Sequence, residues 1–154
     1  MKATTTADGV RIDAALAVLR AVIGGIFIAH GAQKLFVFGL GGITGGFEQA
    51  GIPLAGLAAP LVSFTELLGG GALVAGLLTR FAAVGLGVVM LGAIGFVHAP
   101  NGFFLPDGIE FALALLGSNV ALVLTGAGAY SLDAVLARRR EPVPSRASKP
   151  AFQS

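Results

Sequence analysis

The sequence predicts an all-α protein, a four-helix transmembrane bundle, and three observations carry that prediction. Of the 154 residues, 55% are hydrophobic and only 12% are charged, whereas an average soluble domain carries about 25% charged residues. Between positions 14 and 132 there are only three basic and four acidic residues. Four apolar stretches occupy that central region. A soluble enzyme is excluded, because a soluble globule of this length needs a larger polar surface.

Each apolar stretch is long enough to cross the hydrocarbon core, which takes about 20 residues of helix. The predicted spans cover residues 14–36, 54–79, 81–98 and 109–129. The first span is the most polar, the second is interrupted only by Glu66, and the third carries no Lys, Arg, Asp or Glu. Little more than Thr79 and Arg80 separates the second span from the third, which predicts a tight hairpin.

The other two connections are longer. Residues 36–53 are rich in glycine, and we expect a long outer loop there after helix 1, ending in a short helix stopped by Gly51 and Pro53. Residues 99–108 contain Asn-Gly and Pro-Asp-Gly sequences, which are typical of turns.

The basic residues predict the orientation of the spans. Four crossings put both termini on one side, and that side carries nine of the ten Lys and Arg residues, with only Lys34 opposite. The positive-inside rule therefore predicts cytoplasmic termini. The chain divides into a cytoplasmic N-terminal segment (1–13), a membrane domain (14–133) and a basic, proline-containing cytoplasmic tail (134–154) that we expect to be disordered.

A signal peptide with an apolar core over residues 21–29 is the competing interpretation of the first span. Arg20 next to that core and the lack of an A-x-A cleavage site argue against it. We expect Arg20 instead to reach the lipid headgroups or to pair with Asp13 or Asp133.

Composition also excludes several kinds of chemistry. The chain has no cysteine, so thiolate catalysis, disulfides, Cys-ligated zinc and iron–sulfur clusters are ruled out. Its net charge of +2 comes with basic residues clustered in the C-terminal tail beside an apolar span. That placement favours a membrane-topology signal, and we expect no nucleic-acid partner.

Small residues recur at helical spacing along the spans. We interpret them as helix-packing faces, which also makes a homo-oligomer plausible. These faces are Gly71 with Ala75, Gly92 with Gly95, and Ala114 with Gly117.

Five ionisable side chains lie within or at the outer ends of the predicted spans, where each one needs a partner or a function. Counting about 1.5 Å per residue from the cytoplasmic helix ends places all five in the outer half of the bundle. A glutamine shares the face of two of them at helical spacing. The candidate site is therefore His30, Gln33, Lys34, Glu66, His98 and Glu110. We expect Lys34 to pair with Glu110, and Glu66 with His30.

Two interpretations of these six residues stay open. They are structural ion pairs that hold the bundle together, or they line a polar pocket walled by phenylalanines that binds a quinone headgroup. Histidine and glutamate then supply protons to the headgroup. A haem ligated by His30 and His98 is a further alternative, but two histidines are the minimum for it and Lys34 would crowd it. We expect no other metal site, and the sequence assigns no catalytic residue.

Eight pieces of the sequence, in this order, resemble the DoxX family of small four-span bacterial membrane proteins. They are LR (19–20), FIAHGAQKLF (27–36), FEQAGIP (47–53), ELLGG (66–70), GLLTR (76–80), HAPNGFF (98–104), GIEF (108–111) and GAGAYSLD (126–133). The resemblance covers about residues 16–133, and its motifs contain the six candidate site residues.

The resemblance implies a multi-pass protein of the bacterial inner membrane. Members of the family are linked to a terminal quinol oxidase, a thiosulfate–quinone oxidoreductase and a membrane complex that recruits oxidative-stress enzymes. One hypothesis is therefore a quinone-interacting or accessory subunit of a membrane oxidoreductase, with redox partner proteins. The other is a non-catalytic membrane anchor or scaffold, or a small-solute carrier, in which the same residues form structural pairs. Quinone is the one cofactor that either hypothesis suggests.

Overall fold

A computed structural model of the chain describes residues 7–140, and all regular structure in that range is helical. Helix α1 covers Ala7–Ala32 and continues through a π-helical segment, Gln33–Phe38, into helix α2, Gly39–Gln49. Helix α3 covers Ala55–Ala75. Helix α4, Thr79–Gly92, continues through a second π-helical segment, Ala93–His98, and a 3₁₀ turn, Ala99–Asn101. Helix α5 covers Glu110–Thr125 and helix α6 covers Leu132–Arg140.

Three helical stretches in the described part of the chain are long and apolar enough to cross a membrane. They are Ala7–Gln49, Ala55–Ala75 and Thr79–Asn101. The predicted fourth span corresponds to α5, a shorter apolar helix of 16 residues, or about 24 Å. The all-α class and three spans agree with the sequence, whereas the fourth crossing and the side of the termini stay predictions.

The expected glycine-rich outer loop is wrong. Residues 39–49 form α2, despite five glycines, and only the predicted end before Gly51 and Pro53 is confirmed. A glycine inside a helix costs about 1 kcal/mol relative to alanine in water. Near a membrane the helix becomes favourable despite this cost. Backbone N–H and C=O groups that lack water must hydrogen-bond to each other, and a helix lets them do so.

The expected packing faces do not pack against another helix within the described part of the chain. A Cβ atom added at Gly71, Gly92 or Gly117 meets no other atom within 4 Å. The close approach lies instead between α1 and α3. A Cβ at Gly24 would lie 2.6 Å from the backbone oxygen of Gly70, and one at Gly70 would lie 2.7 Å from that of Gly24. These two glycines let the helix backbones touch.

We expect Gly24→Leu to destabilise the protein by roughly 3 kcal/mol, because the new side chain must separate α1 from α3. The neighbouring Gly25 is the matched control, since a Cβ there meets nothing within 4 Å. Gly25→Leu should change the melting temperature little. Thermal unfolding of the two variants in detergent checks this, and equal losses would contradict the close contact.

The bundle is apolar on both its inside and its outside. A buried core of side chains such as Phe27, Leu73, Leu86 and Leu122 joins α1, α3, α4 and α5. Large hydrophobic side chains are also exposed along the outer faces of the helices, for example Phe81. A soluble monomer rarely exposes so much contiguous apolar surface, so these faces suit contact with lipid.

One end of the bundle is closed by the segment that follows α5. Arg20 is only 2% exposed and donates to the backbone oxygens of Leu73 (3.2 Å) and Tyr130 (2.5 Å). Asp13 accepts a hydrogen bond from the backbone N–H of Ala129 at 2.8 Å. The expectation that Arg20 reaches the headgroups is therefore wrong: its guanidinium is buried and fixes the connection between α5 and α6 to α1 and α3.

Asp133 joins the same end of the bundle to the turn before α4. Its carboxylate accepts hydrogen bonds from the backbone N–H groups of Leu78 (2.7 Å) and Thr79 (3.0 Å). Partial burial opposes the charge, but these donors and the nearby Arg20 hold the pKa of Asp133 below its usual range. Leu78 has a φ of 48°, a left-handed conformation that costs about 1–2 kcal/mol, which the hydrogen bond offsets.

Helix α6 begins at this point and covers the first part of the segment that the sequence predicts to be disordered. Residues 134–140 of the expected tail are helical. The remainder of the tail, and the first six residues of the expected N-terminal segment, lie outside the described residues.

Candidate functional site

The candidate site is a cavity of about 530 Å³ between the π-helical segment that follows α1 and the helices α2, α3 and α4. Its size is in the range of small-molecule sites, about 300–1,000 Å³. Most of the lining is aliphatic and comes from α3 and α4. Four polar side chains and two phenylalanines complete the wall, namely Lys34, Thr65, Glu66, His98, Phe47 and Phe96.

An ion pair is the main polar feature of the cavity. The ammonium of Lys34 donates to Oε2 of Glu66, joining the π-helical segment after α1 to the middle of α3. The Glu66 residue is 3% exposed, and the Lys34 side chain is 19% exposed. The carboxylate is therefore shielded, while part of the Lys34 side chain stays exposed where it lines the cavity. A lysine has three N–H donors, so Lys34 can bind Glu66 and still donate to a ligand.

His98 supplies a second polar group at the end of the helix that continues α4. Its Nδ1 lies 2.8 Å from the backbone oxygen of Asp107. A carbonyl oxygen only accepts, so Nδ1 carries the hydrogen and Nε2 is left for a ligand. In the neutral ring Nε2 accepts a hydrogen bond, and in the imidazolium it donates one.

Both Lys34 and His98 lie in π-helical segments. Gln33–Phe38 interrupts the first long helix and Ala93–His98 interrupts the one that begins at Thr79. A π-helical turn shifts the phase of every later residue relative to a regular 3.6-residue helix, and such turns are frequent at functional sites. The two segments together bring an ammonium and an imidazole to one cavity.

The structure brings three of the six predicted residues to the cavity: Lys34, Glu66 and His98. The other three lie elsewhere. His30 is exposed and packs its ring against Phe111 at a centroid distance of 6.1 Å. Gln33 is exposed. Glu110 accepts a hydrogen bond from the backbone N–H of Leu105 at 2.7 Å, which fixes the turn before α5.

The predicted pairs Lys34–Glu110 and Glu66–His30 are wrong, because Lys34 pairs with Glu66. The expectation assumed that His30 and Lys34, four residues apart, share a helix face. The π-helical segment begins at Gln33, between them, and removes the regular phase on which that argument depends. The haem alternative needs both histidines at one site, and of the two only His98 lines the cavity.

Sequence reasoning missed part of the wall. It expected phenylalanines around the pocket without assigning them, and the structure identifies Phe47 and Phe96. Phe47 was expected in a short helix at the end of a loop, and the structure places it instead in the last turns of α2, a longer helix. Thr65 carries no motif signal beyond its place next to Glu66 in the chain.

Known proteins are similar in sequence to this chain over most of its length. A family model described as DoxX matches residues 15–99. An uncharacterized membrane protein of Mycobacterium tuberculosis is 35% identical over 133 residues, covering 79% of this chain and 80% of that protein. An uncharacterized protein of Haemophilus influenzae is 38% identical over 122 residues, covering 77% of this chain and 87% of that protein.

A third relative carries a functional name. CatD of Bacillus subtilis, whose name assigns it provisionally as an oxidoreductase, is 33% identical over 115 residues, covering 75% of this chain and 81% of that protein. No solved structure matches the chain.

Proposed function

The chain belongs to the DoxX family, and from that premise we propose that it is a quinone-interacting or accessory subunit of a membrane oxidoreductase. The observation that carries the proposal is the cavity that combines the Lys34–Glu66 pair with His98 inside largely apolar walls. A relative named as an oxidoreductase supports the redox assignment. Since the chain has no cysteine, a bound carrier is the simplest source of redox chemistry.

A quinone headgroup fits the chemistry of this lining. Its two carbonyl oxygens accept hydrogen bonds, and the residues that line the cavity include two donors: the ammonium of Lys34 and, when the ring is the imidazolium, the Nε2–H of His98. Glu66 holds the ammonium in place and balances its charge. Phe47 and Phe96 supply flat apolar surface for the ring. When bound, the quinone would supply the redox chemistry, and the residues would bind it and exchange protons.

Binding of a decyl-tailed benzoquinone to the protein in lipid nanodiscs tests the proposal by calorimetry. We expect saturable binding, and His98→Asn should weaken it about tenfold, the effect of one hydrogen bond. An asparagine amide reaches roughly where Nδ1 lies, so the contact with Asp107 is kept while Nε2 is removed.

The matched control is His30→Asn, because His30 lies outside the cavity. It should bind the probe as the unaltered protein does. No saturable binding to the unaltered protein, or equal losses in the two variants, would rule out this quinone site.

The second candidate function is a non-catalytic membrane anchor or scaffold, or a small-solute carrier. The observation in its favour is that Lys34 and Glu66 satisfy each other's charge without a ligand. In this case the pair is purely structural, and the cavity is a space between helices.

The membrane arrangement that we propose for either function follows from charge and helix length. Helix α5 makes a fourth crossing of the bacterial inner membrane, the segments 1–13 and 134–154 lie in the cytoplasm, and 14–133 form the membrane domain. The proposed partners are the lipid bilayer, redox partner proteins and a second copy of the chain.

A further inference from the structure

A second cavity adjoins the candidate site along helix α2. This outer groove has a volume of about 410 Å³. Its lining includes Phe38, Gly42, Gly46, Ala50, Phe47 and Val97. Every side chain that lines it is apolar, and the groove holds none of the polar residues of the main cavity.

Two residues join the outer groove to the main cavity. Phe47 of α2 and Val97, in the π-helical segment after α4, line both spaces. Val97 is exposed and Phe47 is half-buried, so the contact between the spaces lies near the protein surface. A ligand held at Lys34 and His98 therefore has an apolar space directly beyond these two side chains.

Two glycines of α2 that line the groove, Gly42 and Gly46, are not required by the structure of the chain itself. Gly42 and Gly46 lie within α2 and neither has a positive φ, so the backbone conformation does not require glycine. A Cβ at Gly46 meets nothing within 4 Å, and one at Gly42 meets only the Cβ of Phe38 at 3.8 Å. Each glycine weakens the helix, yet the pair keeps about 12 Å of groove clear between Gly42 and Ala50.

We propose that the outer groove holds the apolar tail of the ligand whose polar head lies in the main cavity. This inference rests on the proposed function and extends it from a headgroup to an elongated amphiphile. The polar side chains line the main cavity, the side chains that line the groove are all apolar, and Phe47 and Val97 belong to both linings. A head with one flexible hydrocarbon or isoprenoid tail has this distribution of polarity.

The test compares two probes, a decyl-tailed benzoquinone and the same headgroup with a methyl group in place of the tail. The unaltered protein should bind the tailed probe at least about tenfold more tightly, because the tail leaves water for the groove. Gly46→Leu fills the groove and should abolish that preference while leaving the affinity for the methyl probe unchanged. Gly45→Leu is the matched control, because Gly45 lines neither cavity and has open space around it.

The outcomes separate the two proposals. If neither probe binds the unaltered protein, both the quinone site and the outer groove are rejected. If both probes bind but Gly46→Leu leaves the tail preference intact, only the groove is rejected. A change of oligomeric state in Gly46→Leu with the tail preference intact would identify the groove as an interface between copies and would also overturn the inference.

A folding defect does not end the test. If Gly46→Leu melts well below the unaltered protein, Ala50→Leu at the far end of the groove takes its place with the same two probes. Loss of the tail preference in the folded variant supports the groove, and retention there overturns it.

Discussion

Replacing Glu66 with alanine is expected to destabilise the protein by about 3–5 kcal/mol, the usual cost of removing one partner from a buried ion pair. The carboxylate is almost fully buried, and its loss leaves the Lys34 ammonium without a counter-charge at the cavity wall. Chemical denaturation in detergent, followed by circular dichroism, measures the change. A loss below about 1 kcal/mol would show that water or lipid headgroups already neutralise the lysine.

The double variant Lys34→Met/Glu66→Leu gives the control for this prediction. It replaces both charges by apolar groups of similar size, which is often neutral for stability, so it should recover most of what Glu66→Ala loses. The same variant separates the two candidate functions. A folded double variant that no longer binds a quinone supports the binding site, whereas one that binds normally would make the pair structural.

The long spans were predictable because hydropathy depends on local composition. The regions that became α1, α3 and α4 are apolar over about 20 residues, and few alternatives exist for such a stretch in a bilayer. Helix α2 was not predictable on the same grounds. Glycine favours a loop in water, and the sequence alone does not show whether residues 39–49 are surrounded by water or by lipid.

The candidate site was predictable as a set of residues and not as a set of contacts. An ionisable residue in an apolar span is a local signal, and it identified Lys34, Glu66 and His98. Which of them meet depends on helical phase. The π-helical segments at Gln33–Phe38 and Ala93–His98 change that phase, and no residue pattern in the sequence marked their position.

The stability of the bundle end opposite Lys34 also depends on one charged side chain, that of Arg20. Arg20→Met should destabilise the protein by roughly 3 kcal/mol, because a buried carbonyl oxygen, that of Leu73, and a part-buried one, that of Tyr130, lose a charged donor. The methionine fills similar space, so a cavity contributes little. Arg80→Met is the matched control near the same end. Arg80 is exposed and donates one long hydrogen bond, 3.4 Å, to the backbone oxygen of Leu124, so its loss should be below about 1 kcal/mol.

A double-mutant cycle identifies which partner of Arg20 matters. The carboxylate of Asp133 attracts the guanidinium of Arg20, but the two groups are not within the 4 Å that defines an ion pair. The carboxylate instead accepts hydrogen bonds from the backbone N–H groups of Leu78 and Thr79. Arg20→Met and Asp133→Asn should therefore be nearly additive, with a coupling energy below about 1 kcal/mol. A larger coupling would assign the stability of this end to charge attraction. Additivity would assign it to the carbonyl groups of Leu73 and Tyr130, since those are the partners that Arg20→Met leaves without a donor.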